Sequence, residues 1–283
     1  MTAVELDVNA ARLAHLRWET ALEALVNGSR TDTPLQGHED CDLGTWIYGT
    51  GLSRYGKLGA VWQLKTAHKR FHHVAEEILA ALAAGEQKRA VDLLDAVRRL
   101  SGEILFLLTS LELDVIEAAI NATRAKDIPS RLLRALFPRP TPIDIISIQS
   151  LGEAGSGRHS LNVTGARLAH LKWIRDLQWA FRGHGKTMCA QPSDECSLGI
   201  WIHGTAMKEL GATEILRALD VSHKKFHREV DIVLSSLKHG KYKSADESYE
   251  EALVLSGEII TILTRLQLEL TDSNVLSAQT SKL

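Results

Sequence analysis

The chain has 283 residues, 45% of them hydrophobic and 24% charged, which suits a soluble globular protein with material for two modest domains and excludes overall disorder. Thirty-three Lys and Arg against 35 Asp and Glu, with no long block of one sign, give no electrostatic footprint for nucleic acid or an acidic membrane surface. The opening residues lack the pattern of a secretion signal and no stretch approaches the roughly 18 apolar residues of a membrane span, so a cytoplasmic protein is expected. The three cysteines, Cys41, Cys189 and Cys196, are too few for a disulfide framework and are expected as thiols or metal ligands. The final Ser-Lys-Leu matches a peroxisomal address, a three-residue string that chance supplies easily.

In chain order, apolar residues first recur at helical spacing at Leu13, Leu16, Leu22 and Leu25, with His15 on that stripe and facing the interior. A short element around Trp46 follows, bracketed by Gly44 and Gly49, with Cys41 at its start where backbone amides favour a thiolate. The next helix carries Val74, Ile78, Leu79 and Leu82, and before them His68 and His72, one turn apart on one face. Gly85 closes it, and a further helical run extends from Leu93 to Leu111. Residues 121–162, with Pro129, Pro138, Pro140 and Pro142, are expected to be a linker, although the apolar string Pro142–Leu151 suggests partial packing on a domain.

Beyond the linker the pattern repeats. With an offset of 155 residues (His15 onto His170), Ala11–Leu113 lies on Ala166–Leu268 without a gap, and about a third of positions are identical. The fold class expected is all-α: two tandem antiparallel helical bundles related by internal duplication, each with four main helices and one short one. The domains are drawn at 1–120 and 163–283.

The shared positions concentrate on chemistry. His15, Cys41, His68 and His72 recur as His170, Cys196, His223 and His227. A His-x-x-x-His pair alone is weak evidence, and a buried histidine or cysteine is ordinarily explained by packing. One cysteine and three histidines, however, make the four N/S ligands that zinc takes tetrahedrally, and all four survive while about two-thirds of surrounding positions change. Two Zn²⁺ per chain are therefore expected. Leu43, Trp46, Leu198 and Trp201 are expected to wall the metal from water, and Phe71 and Phe226 to be core packing. Cys189 aligns with Pro34 and is expected to be a bystander. His38 and His203 align with Ser193 and Tyr48 and are left outside the sites.

The order His, then Cys-x-Leu-Gly-x-Trp, then His-x-x-Phe-His (HKRFH and HKKFH) resembles the chemoreceptor zinc-binding (CZB) domain family, bacterial sensory helical bundles. The resemblance implies zinc ligands His15, Cys41, His68 and His72 in one copy and His170, Cys196, His223 and His227 in the other. It also implies homodimers, which a tandem copy would replace by pairing its own two domains. Family members are usually fused to a chemoreceptor signalling region or a diguanylate cyclase; no long heptad array or GGDEF-type string stands here, so output is expected through such a protein as a separate partner.

Four protein ligands leave zinc no open position for a water nucleophile, and no other catalytic motif is found, so the protein is expected not to be an enzyme. The function expected is zinc sensing, oxidant (hypochlorous acid) sensing through the redox-active Cys41 and Cys196, or both. The alternative is a scaffold in which zinc only stabilises the bundles. A bundle-type iron enzyme would need carboxylate ligands that these segments lack.

Overall fold

The computed structural model describes residues 8–31, 36–126, 163–184 and 191–280; side chains are described for these except residues 119–126, 184 and 272–280. The expected linker from residue 127 onward and Cys189 lie outside the described residues. No strand occurs among the described residues, and the all-α, tandem reading holds.

The first copy forms α1 (Val8–Val26), α2 (Asp42–Trp46), a π turn (Ile47–Gly51), α3 (Leu52–Tyr55), α4 (Gly59–Ala83) and α5 (Gln87–Lys126). The second forms α6 (Val163–Trp179) with a π turn (Ala180–His184), α7 (Ser197–Trp201), a π turn (Ile202–Ala206), α8 (Met207–Glu209), α9 (Glu214–Lys238) and α10 (Tyr242–Thr280). The match is detailed. On α4 the buried positions are Val61, Leu64, Ala67, His68, Phe71, His72, Ala75, Ile78 and Ala81, and on α9 each aligned position is buried too. This three-and-four spacing is the core-facing stripe of an amphipathic helix, and both histidines of each pair lie on it. Gly85 and Gly240 end α4 and α9 at φ 73° and 68°, where Glu86 N and Lys241 N bond back to Ala81 O and Ser236 O.

Among the described residues each copy shows three long helices, of which α5 and α10 run unbroken for 40 and 39 residues. The chain divides into two compact units, residues 1–108 with 257–283 and residues 109–256. The fourth long segment of each unit thus comes from the other copy. In the first unit Ile259, Ile260, Leu263 and Leu266 of α10 are buried, and Arg265 donates to the carboxylate of the almost fully buried Glu19 on α1. In the second, Arg175 of α6 donates to Asp114 (2.6 Å) and Glu117 (3.0 Å) of α5.

Candidate metal centre

Cys41 and Cys196 are the N-caps of α2 and α7, and each sulfur accepts the amide of the glycine three residues on, Gly44 N at 3.3 Å and Gly199 N at 3.4 Å. The glycine is dictated by clearance. A Cβ on Gly44 would stand 2.0 Å from His38 O, and one on Gly199 1.8 Å from Ser193 O. Gly44 therefore lies inside the short helix, not at its edge as expected, and lets the preceding loop seat its backbone against the helix that carries the sulfur.

The capped sulfur meets the histidine stripe. Cys41 Sγ is 3.3 Å from His68 Nε2 and 3.7 Å from His72 Nε2, and the two Nε2 atoms are 3.2 Å apart. In the second copy Cys196 Sγ is 3.1 Å from His223 Nε2, which is 3.1 Å from His227 Nε2. Within each trio the donor atoms lie within 4.8 Å of one another, a spacing suited to one shared cation. His227 Nδ1 donates to Gln191 O at 2.7 Å, and His72 bonds likewise to the backbone of the aligned Gln36. That bond fixes the tautomer and leaves Nε2 as the metal-facing lone pair.

The electrostatics suit ligation by histidine. Burial, with the neighbouring imidazoles, lowers His68 and His223 to about 3, and burial with His38 lowers His72 to about 4. All are neutral near pH 7, as metal binding requires. The sulfur behaves differently from the expectation that the helix start favours a thiolate. Burial raises both Cys41 and Cys196, and outweighs the lowering by the Gly44 and Leu43 or Gly199 and Leu198 amides. A bound cation is what would drive off the thiol proton.

His15 and His170 stand beside these trios, outside the group whose atoms converge. Both are buried, His15 against Phe71 (ring centroids 4.3 Å apart) and His170 5.3 Å from His223 and 5.0 Å from Phe226. His15 Nε2 and His170 Nδ1 are buried without a hydrogen-bond partner, as a nitrogen kept for a cation would be. Burial first, then the charges of the paired histidines, hold both well below the ordinary value. Phe71 and Phe226 are fully buried. Leu43, Trp46 and Leu198 are buried, and Trp201 is half-buried.

His38 and His203, left outside the sites by the sequence, lie close to them. The His38 ring is 6.5 Å from that of His72, and His203 stands 3.1 Å from Asp220, one turn before His223 on α9. No repeat signal could find them, because neither is a histidine in the other copy.

The donor set of each trio, one sulfur and two neutral imidazoles with a third imidazole buried nearby, fits zinc. No helix of the described residues is long and apolar enough to cross a membrane. No curated protein and no solved structure gives a significant match. The sequence model of the chemoreceptor zinc-binding domain, a regulatory family, matches residues 15–79 and again 170–234, each match opening on the first-helix histidine and spanning the trio. The chain thus carries two tandem copies of the chemoreceptor zinc-binding domain, each with a Cys-His-His group that could hold one zinc ion.

Proposed function

We propose that the chain is a non-enzymatic regulatory protein in which each zinc is held by three histidines and one cysteine, His15, Cys41, His68 and His72 in one copy and His170, Cys196, His223 and His227 in the other, and in which the sulfur is the responsive ligand. The observation that carries this is the double duty of Cys41 and Cys196. Each faces the metal-binding histidines and caps a five-residue helix through a Gly44 or Gly199 amide. Any change at sulfur is therefore felt by the backbone of α2 or α7 and the π turn after it. Zinc supplies the charge that holds sulfur and imidazoles together; the chain supplies a capped sulfur and pre-neutralised nitrogens. Leu43, Trp46, Leu198 and Trp201 exclude water around them.

Zinc occupancy is one signal, shifting each bundle toward one packing. Oxidant is the second, and it is favoured by exposure most clearly at the second centre: both cysteine residues are half-buried while the histidines are buried, and within the metal groups Cys196 is more open than Cys41. Attack of the thiolate on hypochlorous acid gives a sulfenic acid and chloride, and a sulfenic acid is a poorer metal ligand and a poorer cap acceptor. Signal leaves through a separate partner such as a chemoreceptor or a diguanylate cyclase. Pairing within the chain, and not between two chains, is supported by the contribution of α10 to the first unit and of α5 to the second.

The test is helix content and melting temperature before and after a strong chelator, followed by mass spectrometry after mild hypochlorous acid. The expected outcome is a loss of stability on zinc removal and a first added oxygen on Cys41 or Cys196. No response to chelator overturns switching by zinc occupancy, and oxygen on Cys189 alone overturns the cysteine sensor; stability lost on chelation together with slow zinc exchange and indifference to oxidant leaves only the scaffold role, in which zinc stabilises the bundles and signals nothing.

A further inference from the structure

The duplication preserves the ligands and changes several charges beside them: Asp42 next to Cys41 becomes Ser197, His73 next to His72 becomes Arg228, and a further exchange stands on the helix face before the first histidine. One helical turn before the first histidine of each pair stands Lys65 on α4 and Asp220 on α9, aligned positions on half-buried sites. Residues three apart on a helix are neighbours, about 5–6 Å between Cβ atoms. Their partners are exchanged with them. The Lys65 ammonium lies over the rings of Tyr48 (5.5 Å to the centroid) and Trp62 (5.3 Å). Asp220 instead faces His203, at the position of Tyr48, at 3.1 Å, and Lys224 at 2.7 Å. Lys224 aligns with Lys69, so that cation is common to both copies and on this stretch of helix before the first histidine the difference is ammonium against carboxylate, while beside the sulfur the first copy has Asp42 where the second has Ser197.

We propose that the two centres bind zinc with unequal strength, the centre of Cys196, His223 and His227 more tightly than that of Cys41, His68 and His72, because Asp220 stands where the other has Lys65. The inference rests on the zinc reading above and deepens it. A divalent cation with one thiolate leaves a net positive charge in a region where His68 and His223 are fully buried, so a nearby charge is poorly screened. A carboxylate draws that charge in and an ammonium opposes it. His223 Nδ1 is buried without a hydrogen-bond partner. The consequence is a protein with two zinc thresholds: the second centre fills first and stays filled, and the first reports the rise above that level.

Two full-length variants isolate the centres: C41A/H68A keeps the second and C196A/H223A keeps the first. Competition against a chelator of known affinity should give a zinc Kd roughly tenfold lower for the second centre. Asp220→Lys in the first variant and Lys65→Asp in the second should each remove most of that gap. Asp220→Asn and Lys65→Met should remove about half, and they serve wherever circular dichroism shows that charge reversal costs helix. Equal affinities in the two parent variants, or affinities that ignore all four charge changes, overturn the inference. Zinc binding by neither parent is a different failure, since it sinks the zinc reading itself.

Discussion

The two metal centres are one design with two surroundings. Cys41, His68 and His72 and their counterparts Cys196, His223 and His227 share the capped sulfur, the glycine that clears a loop carbonyl and the glutamine whose carbonyl orients the last histidine. Around them the copies part. His38 becomes Ser193, the Tyr48–Lys65 stack becomes the His203–Asp220 pair, and Gly51 becomes Ala206. The difference teaches which groups the chemistry requires: those that touch the metal or fix a donor atom are kept, and those that set the local field are free to drift or be tuned.

The largest effect expected from breaking the comparison is loss of an ion. C41A/H68A and C196A/H223A should each lower bound zinc from about two to about one per chain by elemental analysis, symmetrically in the two halves. A chain that retains about two in either variant would remove that trio from the ligand set.

Acid should act on both halves alike once metal is stripped. His68 and His223 near 3 and His72 near 4 lie below the ordinary 6.5, so the folded state binds protons less readily than the unfolded one. The stability this represents is complete above about pH 6.5 and is lost as pH falls toward these depressed values. At pH 5 the loss is on the order of 2 kcal/mol for each of His68 and His223. Chelator-treated melts at pH 7 and pH 5 measure it, and a melting temperature that does not fall would show the histidines to be less buried than described.

The glycine clearance predicts a comparable and equally symmetric effect. Gly44→Ala and Gly199→Ala each force a Cβ onto a backbone carbonyl, which should cost about 2 kcal/mol and weaken zinc at the substituted centre alone. Urea unfolding combined with chelator competition separates the two.

The smallest effect sharpens the asymmetry. A Cβ on Gly51 would meet the Trp46 ring at 2.9 Å, whereas the second copy already has Ala206 and a less buried Trp201. Gly51→Ala should push Trp46 outward at a cost of about 1 kcal/mol, with a red shift in tryptophan emission. An unchanged spectrum would mean that the π turn, not the ring, gives way.

The sequence by itself determined the all-α class, the duplication and six side chains whose donor atoms converge, because helical periodicity and a self-comparison both report local facts: which face a residue takes and which positions resist change. Gly85 and Gly240 were legible for the same reason, as a left-handed turn has a local signature. What only the tertiary structure decided is long-range. The spacing of apolar residues in α5 and α10 cannot say that each helix runs through and enters a compact unit with the other copy, since that depends on where buried faces find partners far along the chain. His38, His203 and Asp220 were illegible because a loop and a π turn carry two of them to the sites, and a feature present in one copy only leaves no repeat to notice. The clearance at Gly44 and the competition between burial and helix cap at Cys41 likewise exist only once the loop is folded against α2.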